Sequence, residues 1–579
     1  MTKLQHISIF ILLFIVSLFF SFLSPSFAQE PPGQDIGAQA ERFDEEQQQK
    51  KQQLEKEKAE TPEIQVEEEK PQPPQEGPSF VLKSVKITGS TIFSEKDLAP
   101  LYKPYIDKQV TFQGLQVIID KIKLKYKQEG YITSTAYIPE QEIKDGNIEI
   151  AAAEGKMGEL IIDGNKWFTV GLLKKYFHTA KNKILNINKV QKDILSLNQN
   201  PDLAIRAMLS AGKEPGTSDV TLKVADSVPH HIGNSCDNQG TRLVGRWRDS
   251  VSVRSSNMLN RMDSVYISSL ATKDSLGESL SYSLPIDTYG TKFGLDAVYF
   301  FMRVGKEYKY LDITGNTKML TPHITKELYL SEKFQAYIDA GLEIKSIKKY
   351  MADNLTTNDE MRSPYIGFDF TANDFLGGQT VFAPRLTFGT EHFLGASNRN
   401  ENTLSRDGSG KAFVKYEHSI RRIQLMPFDS YIAMRSRLQL ASHTLASAEQ
   451  FQLGGANSVR GFPEGDFLGD YGANLNIDWI FPMYLIPKQW KVRGQDAPLQ
   501  KQIQPVLFAD FGYAGIINPT VSETKKEKFL MGLGGGVRCR FSDNFYLRLE
   551  WADAIKMDDN KPISGAGAST FTFALQIEV

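Results

Sequence analysis

The sequence lacks several features that mark common classes of protein. Only 2 cysteines occur in 579 residues, which excludes a disulfide framework and a cysteine-built zinc site. Lysine and arginine number 67 against 69 aspartates and glutamates, so no excess of positive charge indicates a nucleic-acid partner. The 8 histidines are scattered without the spacing of a metal site. We therefore expect no metal, no other cofactor and no nucleic acid.

The chain also lacks a recognisable catalytic arrangement. No nucleophile, base and orienting group stand out together, and we expect a protein that is not an enzyme. The glycine-rich run Gly532–Gly536 precedes no helix and has no Gly-Lys-Ser/Thr sequence, unlike a phosphate-binding loop. We interpret it as close backbone packing within a strand.

Long apolar runs are nearly absent as well. A single stretch, from Ile7 to Leu23, is apolar and long enough to cross a bilayer as a helix. It follows Lys3 and precedes the small-x-small sequence Ser26–Ala28. We interpret residues 1–28 as a cleaved signal peptide, with an uncleaved helical anchor as the alternative. In either case the rest of the chain is exported.

Residues 29–78 are rich in Glu, Gln, Lys and Pro and poor in residues that build a core. The stretch from Ala40 to Glu60 consists of good helix formers, whereas prolines interrupt the chain from Thr61 to Pro78. We predict a polar helix on a semi-extended linker. Plain disorder is the alternative, because isolated polar helices of this length are marginal in water.

Two small domains follow, at residues 79–155 and 156–226, each with the predicted order strand, helix, helix, strand, strand. Asp145-Gly146 and Pro215-Gly216 are the turns that join the last two strands of each domain. The long helix of the first domain places apolar side chains on one face, at Leu115, Ile118, Ile119, Ile122 and Tyr126. We predict that this face covers a small sheet. A generic α+β interaction module is the alternative.

From residue 227 to Val579 the pattern changes to segments in which every second residue is apolar. In one of them Leu475, Ile477 and Trp479 alternate with Asn476 and Asp478. Segments of roughly 9 to 11 such residues suit strands between lipid and a wet lumen. At roughly 22 residues per strand and turn, the region holds about 16 strands, and 14 or 18 are also compatible. We predict a transmembrane antiparallel β-barrel; a soluble β-sandwich or propeller is the alternative.

This pattern also explains the mean hydropathy of −0.32, a value usual for soluble proteins. Each lipid-facing residue of such a strand is averaged against a polar neighbour that faces the lumen.

Two segments resemble a known family. Residues Gly130 to Ile150 (GYITSTAYIPEQEIKDGNIEI) and Asn198 to Val224 (NQNPDLAIRAMLSAGKEPGTSDVTLKV) resemble the two polypeptide-transport-associated (POTRA) domains of two-partner secretion transporters. These bacterial outer-membrane proteins include the haemolysin-activator and filamentous-haemagglutinin transporters. The resemblance implies two periplasmic domains, a barrel in outer-membrane lipid, and an N-terminal helix that plugs the resting pore.

The resemblance also implies a function and partners. The periplasmic domains would capture the unfolded N-terminal secretion domain of a large β-helical exoprotein, an adhesin or haemolysin, and pass it through the barrel. Barrel-assembly machinery and periplasmic chaperones would act during biogenesis.

One long connection, residues 453–471, interrupts the barrel pattern. It contains Val459, Arg460, Gly461 and Phe462, which resemble the VRGF/VRGY signature of the sixth extracellular loop in the POTRA-plus-barrel superfamily. In that superfamily the loop folds into the barrel, and its arginine meets an aspartate on the inner wall.

The matching wall motif is Phe508 to Gly512, which contains Phe508 and Asp510. Strand alternation independently directs Phe508 and Asp510 to the lumen if Leu507 and Ala509 face lipid. We therefore expect an Arg460–Asp510 ion pair. An ordinary solvated turn is the alternative.

Three other functions remain open at this stage. A barrel-assembly insertase of the same superfamily would usually carry more than two POTRA domains. A passive porin or solute receptor would leave these domains and the VRGF loop without a role. A structural or adhesive surface protein is a more distant alternative.

Overall fold

The fold is described from a computed structural model, for residues 35–56, 64–66, 79–143, 145–492, 495, 497–519, 526–542, 544–555 and 569–578. The chain forms two compact units, Leu54–Val228 and a second that joins Met1–Gln53 with Pro229–Val579. No helix in the described ranges is long and apolar enough to span a membrane. The predicted signal peptide, residues 1–28, lies outside these ranges.

Helix α1 (Ile36–Lys56) and the short strand β1 (Ile64–Val66) precede the first small domain. The helix begins four residues before the predicted start at Ala40, because Ile36 and Gly37 are packed against the barrel unit rather than exposed to solvent. Burial of apolar surface there extends the helix beyond its polar stretch.

The first domain has a three-stranded sheet covered by one long helix. Its elements are β2 (Phe80–Val81), β3 (Ser84–Thr88), α2 (Glu95–Tyr102), β4 (Gln109–Val110), α3 (Phe112–Gln128), β5 (Thr135–Tyr137) and β6 (Asn147–Ala153). Strand β6 pairs in parallel with β3 and antiparallel with β5. The one strand that the predicted order places first is divided into β2 and β3, because β2 pairs separately with β4.

Helix α3 forms the core of this domain. It begins after Thr111, whose side chain accepts a hydrogen bond from the Gly114 N–H, and the chain turns at Gly130 with a φ of +88°. The buried residues of the helix are those that the spacing predicts: Leu115, Ile118, Ile119, Ile122 and Tyr126.

The second domain repeats this order and gains an additional strand. Its elements are β7 (Lys156–Asp163), α4 (Val170–Lys175), α5 (Ile187–Leu197), β8 (Leu203–Ala211) and β9 (Thr217–Asp226). The sheet order is β1-β8-β9-β7. Strand β1 of the linker pairs in parallel with the edge strand β8, from Ile64 opposite Ala207 to Val66 opposite Leu209.

The second unit contains a closed barrel of 16 strands, which confirms the predicted architecture. The strands before the long connection are β10 (His230–Asp237), β11 (Arg248–Ser255), β12 (Ser264–Ala271), β13 (Ser275–Pro285), β14 (Thr291–Arg303), β15 (Ile313–Leu330), β16 (Phe334–Met351), β17 (Asn354–Asn373), β18 (Gly378–Gly389), β19 (Phe413–Met426) and β20 (Ser430–Ala441). Those after it are β23 (Tyr471–Ile480), β24 (Ile503–Gly515), β25 (Glu527–Ser542), β26 (Phe545–Ile555) and β27 (Thr570–Glu578).

Besides the barrel strands and α1, this unit contains two short strands and a short helix. Strands β21 (Phe451–Leu453) and β22 (Phe467–Gly469) lie in the long connection, and α6 (Leu499–Gln502) precedes β24. Antiparallel pairing of β27 with β10 closes the barrel and leaves no free edge.

Candidate functional site

The long connection between β20 and β23 folds into the barrel. Its strands β21 and β22 pair antiparallel and bring the ends of residues 453–467 together. Val459, at the tip, is fully buried and packs in an apolar cluster with Leu453, Ala514 and Leu530. Phe462 is partly buried against the same cluster. The loop tip is therefore held by the wall and is not the solvated turn of the alternative interpretation.

Gly461 is required by the sharp turn that follows Arg460. Its φ is +96°, and a Cβ atom there would lie 2.8 Å from the backbone nitrogen of Ala554 on β26. A larger residue would both strain the backbone and push the loop from the wall.

Arg460 and Asp510 form the contact that the motif implies. The Arg460 Nε donates to Asp510 Oδ2 at 2.7 Å, and Nη2 donates to Oδ1 at 2.7 Å. The backbone N–H of Arg460 adds a third bond to Oδ2 at 3.0 Å. Such a bidentate arrangement fixes both the charge and the orientation of the guanidinium.

Two further carboxylates of the wall bind the same guanidinium. Arg460 Nη2 donates to Asp478 on β23 at 2.5 Å, and Nη1 donates to Glu550 on β26 at 3.2 Å. Arg538 on β25 joins these two carboxylates, at 2.8 Å from Asp478 and 2.6 Å from Glu550. Arg435 of β20 also lies 3.9 Å from Asp478. Three arginines and three carboxylates thus form one ionic cluster across five adjacent strands and the loop.

Phe508 contributes an aromatic face to this cluster. The guanidinium carbon of Arg460 lies 3.5 Å from the centre of the Phe508 ring, a cation–π geometry. Asn476 donates to Asp510 Oδ1 at 2.7 Å and to the carbonyl of Ser458 at 2.5 Å. Arg460 is consequently 2% exposed and Asp510 is 0% exposed.

Burial determines the energetic importance of this cluster. Two charges removed from water have a large desolvation cost, which only good geometry and complete hydrogen bonding offset. Removal of the arginine would leave three buried carboxylates with one fewer cation. Loss of one partner of a buried ion pair typically lowers the stability of a protein by about 3 to 5 kcal/mol.

Helix α1 lies inside the barrel, in contact with strands on several sides. Glu46 binds Arg248 of β11 at 2.9 Å, and Arg437 of β20 binds Glu45 at 2.5 Å. Phe43 packs near Phe300 of β14, with ring centres 6.0 Å apart. The helix therefore fills the lumen, as the resemblance implies.

The loop residues also bind the helix directly. Arg42 lies 3.1 Å from Glu464, and the Asn457 side chain donates to Glu46 at 3.2 Å. Both loop residues lie within six positions of Arg460. The loop that Arg460 holds against the wall therefore also contacts the helix.

A second bridge runs through Glu449, on the loop before β21. The Lys345 amine of β16 donates to Glu449 at 2.8 Å and to Glu41 of the helix at 3.0 Å. Lys415 of β19 donates to the other oxygen of Glu449 at 2.6 Å. Helix, loop and wall are thus connected by two ionic clusters at separate places.

Sequence reasoning missed several members of this site. The alternation placed Asp478 on a lumen face, but only the register shows that it lies next to Asp510, with Asn476 opposite Asp510 and Asp478 opposite Phe508. Glu550 alternates with Leu549 and Trp551 in the same way. A search for lumen-facing carboxylates on the strands next to Asp510 is the signal that would have identified both.

Comparison with known proteins identifies the family of the chain. The family model described as haemolysin secretion/activation protein ShlB/FhaC/HecB matches residues 216–539, and a model of the ShlB-type POTRA domain matches residues 80–155. The chain belongs to the haemolysin secretion/activation protein family.

Named relatives are similar over most of their length. The Heme/hemopexin transporter protein HuxB of Haemophilus influenzae (strain 86-028NP) is 24% identical over 80% of this chain and 81% of its own. The Outer membrane transporter CdiB of Escherichia coli is 23% identical over 72% of each chain.

The fold is also similar to that of a solved structure, CdiB from Escherichia coli. The TM-score is 0.72 at 19% identity, with 94% of this chain and 98% of that chain covered. The chain therefore shares the fold of that structure. As a member of its family, it is an outer-membrane β-barrel with periplasmic POTRA domains.

Proposed function

We propose that this protein is an outer-membrane pore that recognises a large, unfolded β-helical exoprotein, an adhesin or haemolysin, and translocates it from the periplasm to the cell surface or medium. The observation that carries the proposal is the joint support of α1 and the VRGF loop. Arg460 holds the loop on the wall, while Glu464 and Asn457 of the same loop hold the helix. Displacement of the loop would remove these contacts and leave the helix held only by the wall, through pairs such as Glu46–Arg248 and Glu41–Lys345, so the same event that moves the loop weakens the plug.

Client recognition is assigned to the periplasmic unit. The edge of β8 already accepts an extended segment, β1, through backbone pairing. Strand addition of this kind needs no particular client sequence, because the backbone supplies the hydrogen bonds. We propose that the secretion domain of the client binds a sheet edge of these domains in the same way, and that β1 competes with it at β8.

The remaining partners and the energetics follow from the same proposal. Barrel-assembly machinery and periplasmic chaperones act during insertion of the 16 strands. The chain itself catalyses no reaction, and folding of the client outside the cell biases its transport. A barrel-assembly insertase is the second candidate, and it predicts a different phenotype.

The test is removal of the gene and complementation with variants. We expect one large protein to disappear from the culture medium and to return with the wild-type gene. Arg460→Ala should insert a folded barrel, seen as a heat-modifiable band, but should not restore that protein. The matched control is Arg421→Ala, which removes an arginine of β19 that takes no part in the cluster.

Two results would contradict the proposal. If the Arg460→Ala strain released as much client into the medium as the wild type, the contact of the loop with the wall would not be needed for export. A general loss of many outer-membrane barrels on gene deletion, without loss of one secreted protein, would favour the insertase.

A further inference from the structure

The outward face of β14, β15 and β16 changes from apolar to positively charged near the cell-surface end of the barrel. The chain enters the barrel at β10 directly after β9 of the periplasmic unit, so the first residues of β10 lie at the periplasmic end. Neighbouring strands are antiparallel, and β16 is the seventh strand in the barrel order. Its C-terminal end therefore lies at the cell surface.

Strand β16 marks the boundary of the lipid-facing band. Glu343, Lys345 and Ile347 are buried and point to the lumen, so the alternate residues point outward. From the periplasmic end the outward residues are Phe334, Ala336, Ile338, Ala340, Leu342 and Ile344. That span is about 26 Å tall for a strand tilted by roughly 40°, close to the usual apolar band of about 25 Å. Ser346 and Lys348 come next, at the height of the lipid headgroups.

Three cations stand on this outward face just beyond the band. Lys318 of β15 lies opposite Ser346, and Lys348 lies opposite Asn316. Lys318 and Lys348 are therefore diagonal neighbours, roughly 7 to 8 Å apart at their backbones. Arg303, the last residue of β14, lies opposite Thr314 on the far side of β15. Lys318 and Arg303 are exposed, and Lys348 is half-buried.

The outward charges beside Lys318 and Lys348 leave this part of the face positive. Asp274 lies beside Arg303, whose backbone N–H donates to the Asp274 carbonyl at 2.8 Å. Arg362 of β17 pairs with Glu360 at 3.1 Å and so contributes no net charge. Glu278 of β13 faces outward but lies opposite Tyr299, two strand spacings from Lys318. Within the described part of the chain, no ion pair joins Arg303, Lys318 or Lys348 to a carboxylate. Unpaired cations directly above an apolar band match a phosphorylated headgroup whose acyl chains continue downward.

We propose that Arg303, Lys318 and Lys348 bind the phosphate groups of an outer-leaflet glycolipid of the lipid A class. Phosphate oxygens accept hydrogen bonds from arginine and lysine, and lysine ammonium groups commonly bind phosphate as point charges. The outward apolar side chains of Leu320 and Ile344 lie below the cations and would contact the acyl chains. The inference depends on the membrane position of the barrel and is independent of the client.

The test uses full-length protein in detergent, titrated with bisphosphoryl lipid A and followed by native mass spectrometry. We expect wild-type protein to retain lipid A, and the double variant Lys318→Gln, Lys348→Gln to bind it at least tenfold more weakly. The matched control is Lys326→Gln, on the same outward face of β15 but at its periplasmic end. A heat-modifiable band verifies folding of each variant, and Lys318→Gln alone serves if the double variant does not fold.

Two other lipids and inorganic phosphate identify the chemistry of the ligand. Monophosphoryl lipid A should bind more weakly than the bisphosphoryl form, and phosphatidylglycerol should bind at least tenfold more weakly. Inorganic phosphate at millimolar concentration should not displace lipid A. Equal binding of wild type and double variant, equal binding of phosphatidylglycerol, or displacement by inorganic phosphate would each overturn the assignment.

Discussion

Gly532 of β25 makes room for the backbone carbonyl of Arg460. A Cβ atom at Gly532 would lie 2.0 Å from the Arg460 oxygen, far inside contact distance. Gly532 is therefore the position of the glycine-rich run that packs against the loop, whereas Gly534 makes room for the Phe508 ring on the neighbouring strand. Backbone approach of this kind is the usual reason for glycine within a strand.

The substitution Gly532→Ala tests this packing. We expect it to displace Arg460 from Asp510 and to weaken the loop contact by roughly 1 to 3 kcal/mol, the usual cost of overpacking. Faster cleavage of residues 453–471 by an external protease would report the displacement, together with reduced client in the medium. The control is Gly535→Ala, where the nearest atom to the added Cβ is 3.1 Å away. Equal protease resistance of wild type and Gly532→Ala would contradict this account.

The chemistry of Arg460 predicts an order among three substitutions. Arg460→Ala leaves Asp510 without its cation, while Asp478 and Glu550 keep Arg538, and it should destabilise the docked loop most, by roughly 3 to 5 kcal/mol. Arg460→Lys keeps the charge but cannot donate simultaneously to Asp510, Asp478 and Glu550, so it should be intermediate. Asp510→Asn leaves two carboxylates for the arginine and should cost least. Thermal unfolding of the purified barrel measures the order, and a lysine variant as stable as wild type would refute it.

The interior helix predicts a change in channel activity. Arg42→Ala removes the contact with Glu464 and the hydrogen bond to the Gln239 carbonyl, at 3.1 and 3.0 Å. Because Glu46 also loses its Arg42 partner at 2.9 Å, the helix should leave the lumen more often. Planar-bilayer recordings should then show a larger fraction of open time, severalfold above wild type. The control is Gln48→Ala, on an exposed part of the same helix, and the proposed support fails if both variants give the same open fraction.

The sequence predicted the barrel reliably because alternation at every second residue follows directly from lipid on one side and water on the other. Arg460 and Asp510 were predictable from short motifs, but Asp478 and Glu550 needed the strand register, which depends on pairing between distant segments. The position of α1 was harder to predict from its residues. Its polar residues suggest a helix exposed to solvent. Only the structure shows that Glu41 and Arg42 form ion pairs with buried residues inside the barrel. Strand β1 was not predicted, because its pairing depends on an edge of β8 more than 130 residues away.

The first periplasmic domain contains a carboxylate that should make its stability depend on pH. Glu154 accepts hydrogen bonds from the N–H groups of Thr91 at 2.8 Å and Ile92 at 2.9 Å, and from the Tyr126 hydroxyl at 3.0 Å. Burial alone would raise the pKa of Glu154, but a hydrogen bond from the Thr91 hydroxyl, together with these three, outweighs it and holds the pKa below its ordinary value of 4.5. Burial also raises the pKa of Tyr126 to about 12, so its hydroxyl remains protonated as a donor.

The sign of the effect follows from the lowered pKa. The ionised Glu154 stabilises the fold above pH 4.5, its ordinary pKa, and this contribution is lost as the pH falls through the lower folded-state pKa. We expect hydrogen exchange in residues 79–155 of the full-length protein, corrected for intrinsic rates, to show weaker protection at acidic pH. Glu154→Gln should lower protection at neutral pH and flatten the acid response, whereas Glu140→Gln, an exposed carboxylate of the same domain, should leave both unchanged. An acid response in Glu154→Gln as steep as that of wild type would show that another group controls it.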